Sequence, residues 1–224
     1  MTIKIYGHEG TVCTKRVLIT LHELNLPYEL IKIELIKIDL AKREHRTPEF
    51  YAKHPIGRVP YLEDDEGGSV IGLAESRPIC RYLVVRYGGE STLMPKPTDI
   101  ESFARFEEAA SYEQCYFDHH ATQAGVERHF ARMERRAPNE VLVKKHIAHL
   151  ADIMKAYDSI LAKRRFIAGE NFTIVDVFHG PGGWLAQQML EVWELFEKHP
   201  NVRRWWADIS ARESFKKYNE VEYS

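Results

Sequence analysis

Residues 88–99, GGESTLMPKPTD, separate two stretches whose apolar residues repeat with different periods, and this change constrains the fold more than any single motif. Before it, TIKIY (residues 2–6) alternates apolar and polar residues with period two, and residues 59–62 and 69–73 are similarly short and rich in strand formers. Helical periods lie among these strands: Val17, Leu18, Leu21 and Leu24 share a face, as do Ile79, Tyr82, Leu83 and Val85 to Tyr87 more loosely. A strand–helix–strand start followed by two close strands and a helix predicts an α/β layer. After the linker the 3.6-residue period takes over. Phe103, Phe106, Ala110 and Phe117 recur on one face, followed by Val143, Ile147, Leu150, Met154, Tyr157 and Leu161. The expected fold class is α/β plus all-α, with an α/β domain over residues 1–87, a linker at 88–98 and a helical domain over 99–224.

Composition narrows the partners. The chain has 224 residues, 44% of them hydrophobic and 11% aromatic, enough for a sizeable core. Thirty-one basic against 33 acidic residues leave no broad field for nucleic acid or an anionic membrane, so a small molecule or another protein is the expected partner. Three cysteines, Cys13, Cys80 and Cys115, are too few and too scattered for a disulfide framework or a tetrahedral zinc site. MTIKIYG lacks an apolar leader region, and no stretch approaches 18 uninterrupted apolar residues. A soluble chain of a reducing cytoplasm is expected.

Three local patterns carry their own expectations. FTIVDV (172–177) reads as a capping box, Thr173 accepting a backbone N–H and Asp176 reaching back to the cap. HGPGG (179–183) should kink or interrupt its helix at Pro181. IKIELIKIDL (31–40) is one pentapeptide written twice. Because five is odd, its apolar positions switch face between Leu35 and Ile36, which predicts a bulge, turn or reversal there and one copy only in the core.

Longer stretches carry a resemblance. IKIYGHEGTVCTKRVLITLHELNLPYEL, EHRTPEF, HPIGRVPYLED and AESRPICRYLVVRYG, in this order, resemble the thioredoxin-like N-terminal domain of cytosolic glutathione transferases, with the closest likeness to the phi class of plants and fungi. RFIAGENFTIVDV and HPNVRRWWADISAR are similar to late helical segments of that family, so the likeness spans nearly the whole chain. It implies an enzyme that conjugates the glutathione thiolate to apolar electrophiles, with reduction of organic hydroperoxides as a further activity. Glutathione is then the co-substrate, no metal or nucleotide cofactor is expected, and the chain is expected to form a homodimer. Ile56 stands where many relatives carry an aromatic residue that keys into the partner subunit.

The physical demands of the tripeptide match these motifs. Ser76 at a helix start, with Pro78 just inside, can offer a hydroxyl and N–H groups to the γ-glutamyl carboxylate, and Glu75 can accept from its ammonium. In GRVP the residue before Pro60 is pushed toward an extended conformation; the family's version of this proline is cis, which leaves the backbone of Val59 to pair with the tripeptide as an added strand. The resemblance places His45 and Arg46 near the glycyl carboxylate, and Arg58 where relatives often carry Gln or Lys. Read without the family, Glu75 and Ser76 are helix-start residues, Pro60 a turn proline, and His45 and Arg46 part of a solvated loop.

A thiol titrates near ~8.5, and lowering that by about two units takes roughly 2.7 kcal/mol of preference for the anion. One hydroxyl donating to charged sulfur contributes about 1.5–3 kcal/mol, and a helix N-terminus about 0.3–2. In phi-class relatives the donor is a serine four residues after the glycine that ends the first strand; that count from Gly7 reaches Thr11, whose extra methyl restricts χ1. The other reading of Thr11 is a plain helix N-cap, and Thr14, Tyr6 and Cys13 are the remaining candidates. Cys13 would make the protein a cysteine-type thiol transferase, and a non-catalytic ligand-binding or regulatory module of the same fold is the alternative from another class.

The second substrate is expected between the domains against an aromatic cluster, Tyr112, Tyr116 and Phe117, whose other reading is core packing. His119 and His120 with Cys115 suggest a metal, but adjacent histidines on a helix diverge and no further ligand is evident. The basic run from Arg128 to Arg136 reads as a solvated face. There is no GxGxxG or P-loop.

Overall fold

The structure, a computed structural model, describes residues 2–26, 32–65, 67–190 and 192–219. Two compact units are present: the chain to Ser91 together with the chain from Lys217, and Thr92–Lys216. Assigning everything after 99 to the helical domain therefore misses the return of the C-terminal stretch, where Tyr218 meets His22 edge-on with ring centroids 6.3 Å apart.

In the first unit β1 (Thr2–Gly7) alternates half-buried and buried residues, as its period-two sequence requires, with Ile3 and Ile5 in the core. It leads into α1 (Val12–Leu24), which ends at Asn25 in the left-handed conformation, a residue type that tolerates it. Then come β2 (Lys32–Lys37), a 3-10 turn (Glu44–Arg46), α2 (Pro48–Lys53), β3 (Tyr61–Asp65), β4 (Val70–Ala74) and α3 (Ser76–Tyr87). The sheet order is β2-β1-β3-β4, with β1/β2 parallel and the other two pairs antiparallel. Val17, Leu18 and Leu21 of α1 and Ile79, Leu83 and Val84 of α3 are buried, and the two helices pack together. Val85 stays exposed, off that face. Asp64 on β3 is buried and accepts hydrogen bonds from the hydroxyls of Tyr82, at 2.8 Å, and Tyr87, fastening the sheet to α3.

The break expected at Leu35 and Ile36 does not occur. The parallel ladder runs through both, Leu35 opposite Ile5 and Ile36 opposite Tyr6. Both side chains are only half-buried, so the edge strand β2 carries apolar residues on both faces and no phase change is needed. Ile38, just past the strand, is buried and its N–H bonds to the Gly7 carbonyl. Ile31 lies outside the described residues.

The second unit contains α4 (Ile100–Tyr112), a π-helical turn (Glu113–Phe117), α5 (Asp118–Met133), α6 (Glu140–Leu161), α7 (Ile174–Leu190), α8 (Trp193–Glu197), α9 (Pro200–Ser210) and α10 (Glu213–Asn219), whose last residues belong to the first unit. The capping box forms at the start of α7: Thr173 Oγ1 accepts from Val175 N, and Asp176 Oδ2 accepts from Thr173 N at 2.9 Å. Asp176 Oδ1 also accepts from Trp205 Nε1 at 2.8 Å, tying α7 to α9. Burial pushes this carboxyl up to about 6, against the hydrogen bonds that oppose it.

Helix α7 continues through Pro181 without interruption. The glycines around it have a packing role: a Cβ on Gly180 would lie 2.0 Å from the Phe215 ring, and one on Gly183 would lie 2.5 Å from Trp206. On α6 the buried stripe is Val143, His146, Leu150, Met154, Tyr157 and Leu161; Ile147, expected in it, is half-exposed and a histidine takes its place. Of the basic run, residues 132–136 are exposed as expected while Arg128 is half-buried; Arg136 pairs with Glu127 and Arg128 with Glu140.

Candidate active site

Strand register collects the candidate residues of the first unit. Tyr61 at the start of β3 pairs with Tyr6 near the end of β1 and with Ala74 at the end of β4. The three segments that leave these positions, the loop to Thr11, the Val59–Pro60 peptide and Glu75–Ser76, therefore emerge at one end of the sheet, a strand spacing of about 4.8 Å apart. Residues far apart in sequence thus border one region.

Thr11 is the N-cap of α1. Its Oγ1 accepts from Thr14 N at 3.3 Å and lies 3.0 Å from the His8 carbonyl and 2.8 Å from Thr14 Oγ1. The N-cap reading and the thiol-donor reading thus describe one hydroxyl, since the cap uses a lone pair and leaves the hydrogen to another acceptor. Thr14 is fully buried and cannot reach a ligand, but its hydroxyl can donate to Thr11 whenever Thr11 turns its own hydrogen outward. Glycine at position 7 makes room for this pair, because a Cβ there would lie 2.7 Å from Thr14 Oγ1. The first turn of α1 supplies positive dipole beside them.

The competitors are placed elsewhere. Tyr6 donates its hydroxyl to Glu63 Oε2 at 2.7 Å, and burial with that carboxylate pushes its pKa up, which unfits it for stabilising a thiolate. Cys13 lies within the first turn, its Sγ 3.6 Å from Arg16 Nη1.

The Val59–Pro60 peptide is cis, and among the described residues no backbone hydrogen bond to Val59 is found outside regular structure. Glu75 has φ 70°, ψ 121°, a conformation that costs a non-glycine residue of order 1–3 kcal/mol and persists only because the surrounding structure holds it. The sequence carries no sign of this strain. Ser76 follows it, buried at the start of α3, where first-turn N–H groups have no intrahelical partner.

His45, Arg46 and Arg58 form one cationic patch with Arg43. Burial, then Arg46, Arg58 and Arg43, hold the His45 imidazole below its usual pKa, and its buried Nδ1 has no partner among the described residues. Arg46 is partly committed: its Nη1 donates to Tyr51 at 3.1 Å and to the Ile56 carbonyl at 3.2 Å, holding the loop that leads to Val59. The patch is a cationic environment in which one buried imidazole nitrogen has no partner among the described residues.

In the second unit burial splits the aromatic cluster. Tyr112 and Tyr116 stay together with centroids 6.4 Å apart, and Tyr116 is 54% exposed. Phe117 does not join them as a ligand-facing residue: it is 0% exposed, packed on His179 at 4.9 Å and on Tyr157 at 6.2 Å. Phe117 thus keeps to the buried stripe of Phe106 and Ala110 that the helical period predicts.

Family comparison bears on the same segments. The model of the glutathione S-transferase N-terminal domain matches residues 5–91, and that of the glutathione S-transferase C-terminal domain matches residues 110–213. Glutathione S-transferase PM239X14 of Arabidopsis thaliana is 38% identical over 208 residues, covering 92% of this chain and 91% of its own. Glutathione S-transferase hmp2 of Hypomyces subiculosus is 36% identical over 216 residues, covering 96% of each chain. Among solved structures, glutathione transferase F2 of Populus trichocarpa superposes with a TM-score of 0.87 at 31% identity, over 97% of each chain.

Proposed function

The chain belongs to the glutathione S-transferase family, and from that premise we propose how its own residues conduct the transfer: Thr11 holds the glutathione sulfur as an anion while that sulfur attacks an apolar electrophile. The chain is a transferase with a thioredoxin-like first domain, and its likeness includes phi-class enzymes. Glutathione is the co-substrate, and reduction of an organic hydroperoxide by the same thiolate is the second reaction open to it.

The observation that carries this reading is the position of Thr11, a half-buried hydroxyl that caps α1 at the end of the sheet where Val59 and Glu75 also emerge. With sulfur beside Thr11, the Thr11 hydrogen turns to it and Thr14 donates to Thr11 in turn, so the anion gains a donor without leaving a buried hydroxyl unpaired. The thiol proton goes to solvent. The S–C bond then forms as the leaving group departs with its electron pair. With a hydroperoxide the thiolate takes the terminal oxygen, the O–O bond breaks and the alkoxide leaves as alcohol after taking a proton from solvent. A second glutathione thiol converts the resulting sulfenic acid to the disulfide with loss of water.

The rest of the tripeptide falls to the other groups. Ser76 and the first turn of α3 receive the γ-glutamyl carboxylate and Glu75 its ammonium; Val59 pairs its backbone with the cysteinyl residue; His45, Arg58 and the remaining donors of Arg46 face the glycyl carboxylate. The strained backbone of Glu75 and the unpartnered His45 Nδ1 support this assignment. Tyr112 and Tyr116 offer a flat apolar electrophile two rings to stack on.

A homodimer and a cytoplasmic location complete the proposal. Ile56, 62% exposed, and the exposed Val70, Ile71 and Val85 are apolar residues of the first unit that a second subunit can cover. Among the described residues no helix is long and apolar enough to cross a membrane.

Turnover of a chlorodinitrobenzene-type electrophile tests the central assignment. Thr11→Ala should lose at least about tenfold in kcat/KM and Thr11→Ser should retain most of it, since one hydrogen bond to a charged partner is worth about 1.5–3 kcal/mol. Unchanged turnover in Thr11→Ala rejects Thr11 as the donor. Glutathione binding with no turnover of any electrophile or hydroperoxide by the wild type favours a carrier.

A further inference from the structure

The residues in question lie in the helical unit, and the transferase reading makes no use of them. His119 and His120 open α5 directly after the π turn, and His146 projects from the buried stripe of α6, the helix packed beside it. In an undisturbed helix adjacent residues point about 100° apart. Here the His119 and His120 rings have centroids 4.9 Å apart, and both approach His146, at 5.7 and 5.1 Å. One ring nitrogen from each of the three lies within 4.8 Å of the others. The expectation that no further ligand converges on the pair therefore fails, and the missing ligand comes from α6. Cys115 is not part of the group.

This arrangement has the features of an imidazole site. His120 Nδ1 and His146 Nδ1 are 2.8 Å apart, a contact two neutral rings make only by sharing one proton, the place a cation can take. A tetrahedral zinc ion holds imidazole nitrogens at about 2.0–2.1 Å, hence about 3.3 Å from one another, a spacing inside the observed range of 2.8 to 4.8 Å. Side-chain rotations that bring the widest pair, up to 4.8 Å apart, about 1.5 Å nearer close the triangle. His146 is buried and His120 half-buried, while His119 is exposed, so the site has a fixed inner side and an open path for the ion. The His149 ring stacks on His120 at 4.6 Å and 19° and limits its swing. Three neutral nitrogens without a carboxylate suit Zn(II) and its borderline neighbours Cu(II), Ni(II) and Co(II), not Mg(II) or Ca(II).

We propose that His119, His120 and His146 form a zinc-class metal site at the junction of α5 and α6, with water as the fourth ligand. The ion staples the start of α5 to α6. The site is independent of glutathione, so its test does not depend on the transfer reaction.

The full-length protein, stripped with a chelator, is titrated with Zn(II) against a chromophoric competitor and separately with Co(II), whose visible absorption is intense when four-coordinate. One equivalent of Zn(II) per chain should bind at micromolar concentration or below, and Co(II) should give the tetrahedral spectrum. His119→Ala, at an exposed position, should weaken zinc binding at least about tenfold while leaving the thermal unfolding of the metal-free protein unchanged. His146→Gln should abolish binding; if this variant does not fold, His119→Ala decides alone. His199→Ala, at the start of α9 and outside the group, should bind as the wild type does. No binding at micromolar zinc, or an affinity that His119→Ala leaves unchanged, overturns the site and places any bound ion on other histidines among the 11 in the chain.

Discussion

Replacing Asp176 with alanine should cost the helical unit about 3 kcal/mol. The carboxylate is fully buried and accepts from Thr173 N at 2.9 Å, Thr173 Oγ1 at 3.3 Å and Trp205 Nε1 at 2.8 Å. Alanine leaves two buried N–H donors unmet, each worth about 1–3 kcal/mol, while removing the cost of burying a charge, so the low half of the sum is expected. Asparagine offers one acceptor oxygen where two are used, so one donor faces its NH2 group and at least about 1 kcal/mol is lost. Tryptophan emission under urea is a suitable assay, because all four tryptophans, Trp184, Trp193, Trp205 and Trp206, lie in this unit. The change is read from the midpoint at constant m.

The pH dependence supplies a second check on Asp176. Its folded pKa, about 6, is above the ordinary 3.8, so folding favours the protonated form. That contribution is complete below pH 3.8 and is lost as pH rises through about 6. The gap between wild type and the alanine variant should therefore narrow from pH 5 to pH 8. A loss below about 1 kcal/mol at pH 5, or a gap that widens with pH, would refute the argument.

Thr14→Val keeps the buried shape and removes the hydroxyl behind Thr11; kcat/KM should fall about fivefold, for about 1 kcal/mol, its controlling pKa should rise, and Thr14→Ser should restore both. Gly180→Ala gains about 1 kcal/mol of helix propensity but drives a methyl into Phe215, which has no exposed surface to move toward. A net loss of about 2 kcal/mol, read calorimetrically as a Tm lower by about 4–8 °C, is expected. Glu127 accepts from Arg136 and from Asn139 N–H, which lowers its pKa to about 2 from an ordinary 4.5. Its contribution holds above pH 4.5 and disappears as pH falls toward 2, so acid titration by circular dichroism should show a shallower decline for Glu127→Gln.

Legibility followed the range of the interactions involved. The capping box at Thr173 and Asp176 and the hydroxyl four residues after Gly7 are local patterns, and both were readable because a helix start needs only the next few residues. The doubled pentapeptide misled because its phase change matters only where one strand face is wet, and whether β2 is covered on one face or two is decided by other segments. Phe117 carried two sequence readings, the apolar stripe of Phe106 and Ala110 and a wall for the second substrate, and its burial leaves the stripe. His146 was hidden because a histidine on a buried stripe looks, in sequence, like an ordinary interruption of it.

The chain by itself determined its division into an α/β part and a helical part and the hydroxyl at the start of the first helix, since apolar period, capping and turn chemistry act over a handful of residues; its family showed in the resemblance of longer motifs taken in order. Only the tertiary structure decided which distant segments share an end of the sheet, that Arg46 braces a loop, that Glu75 is strained and that three histidines meet. Those outcomes depend on strand register, helix phase and packing across tens of residues, where each local choice is nearly neutral until its neighbours are in place.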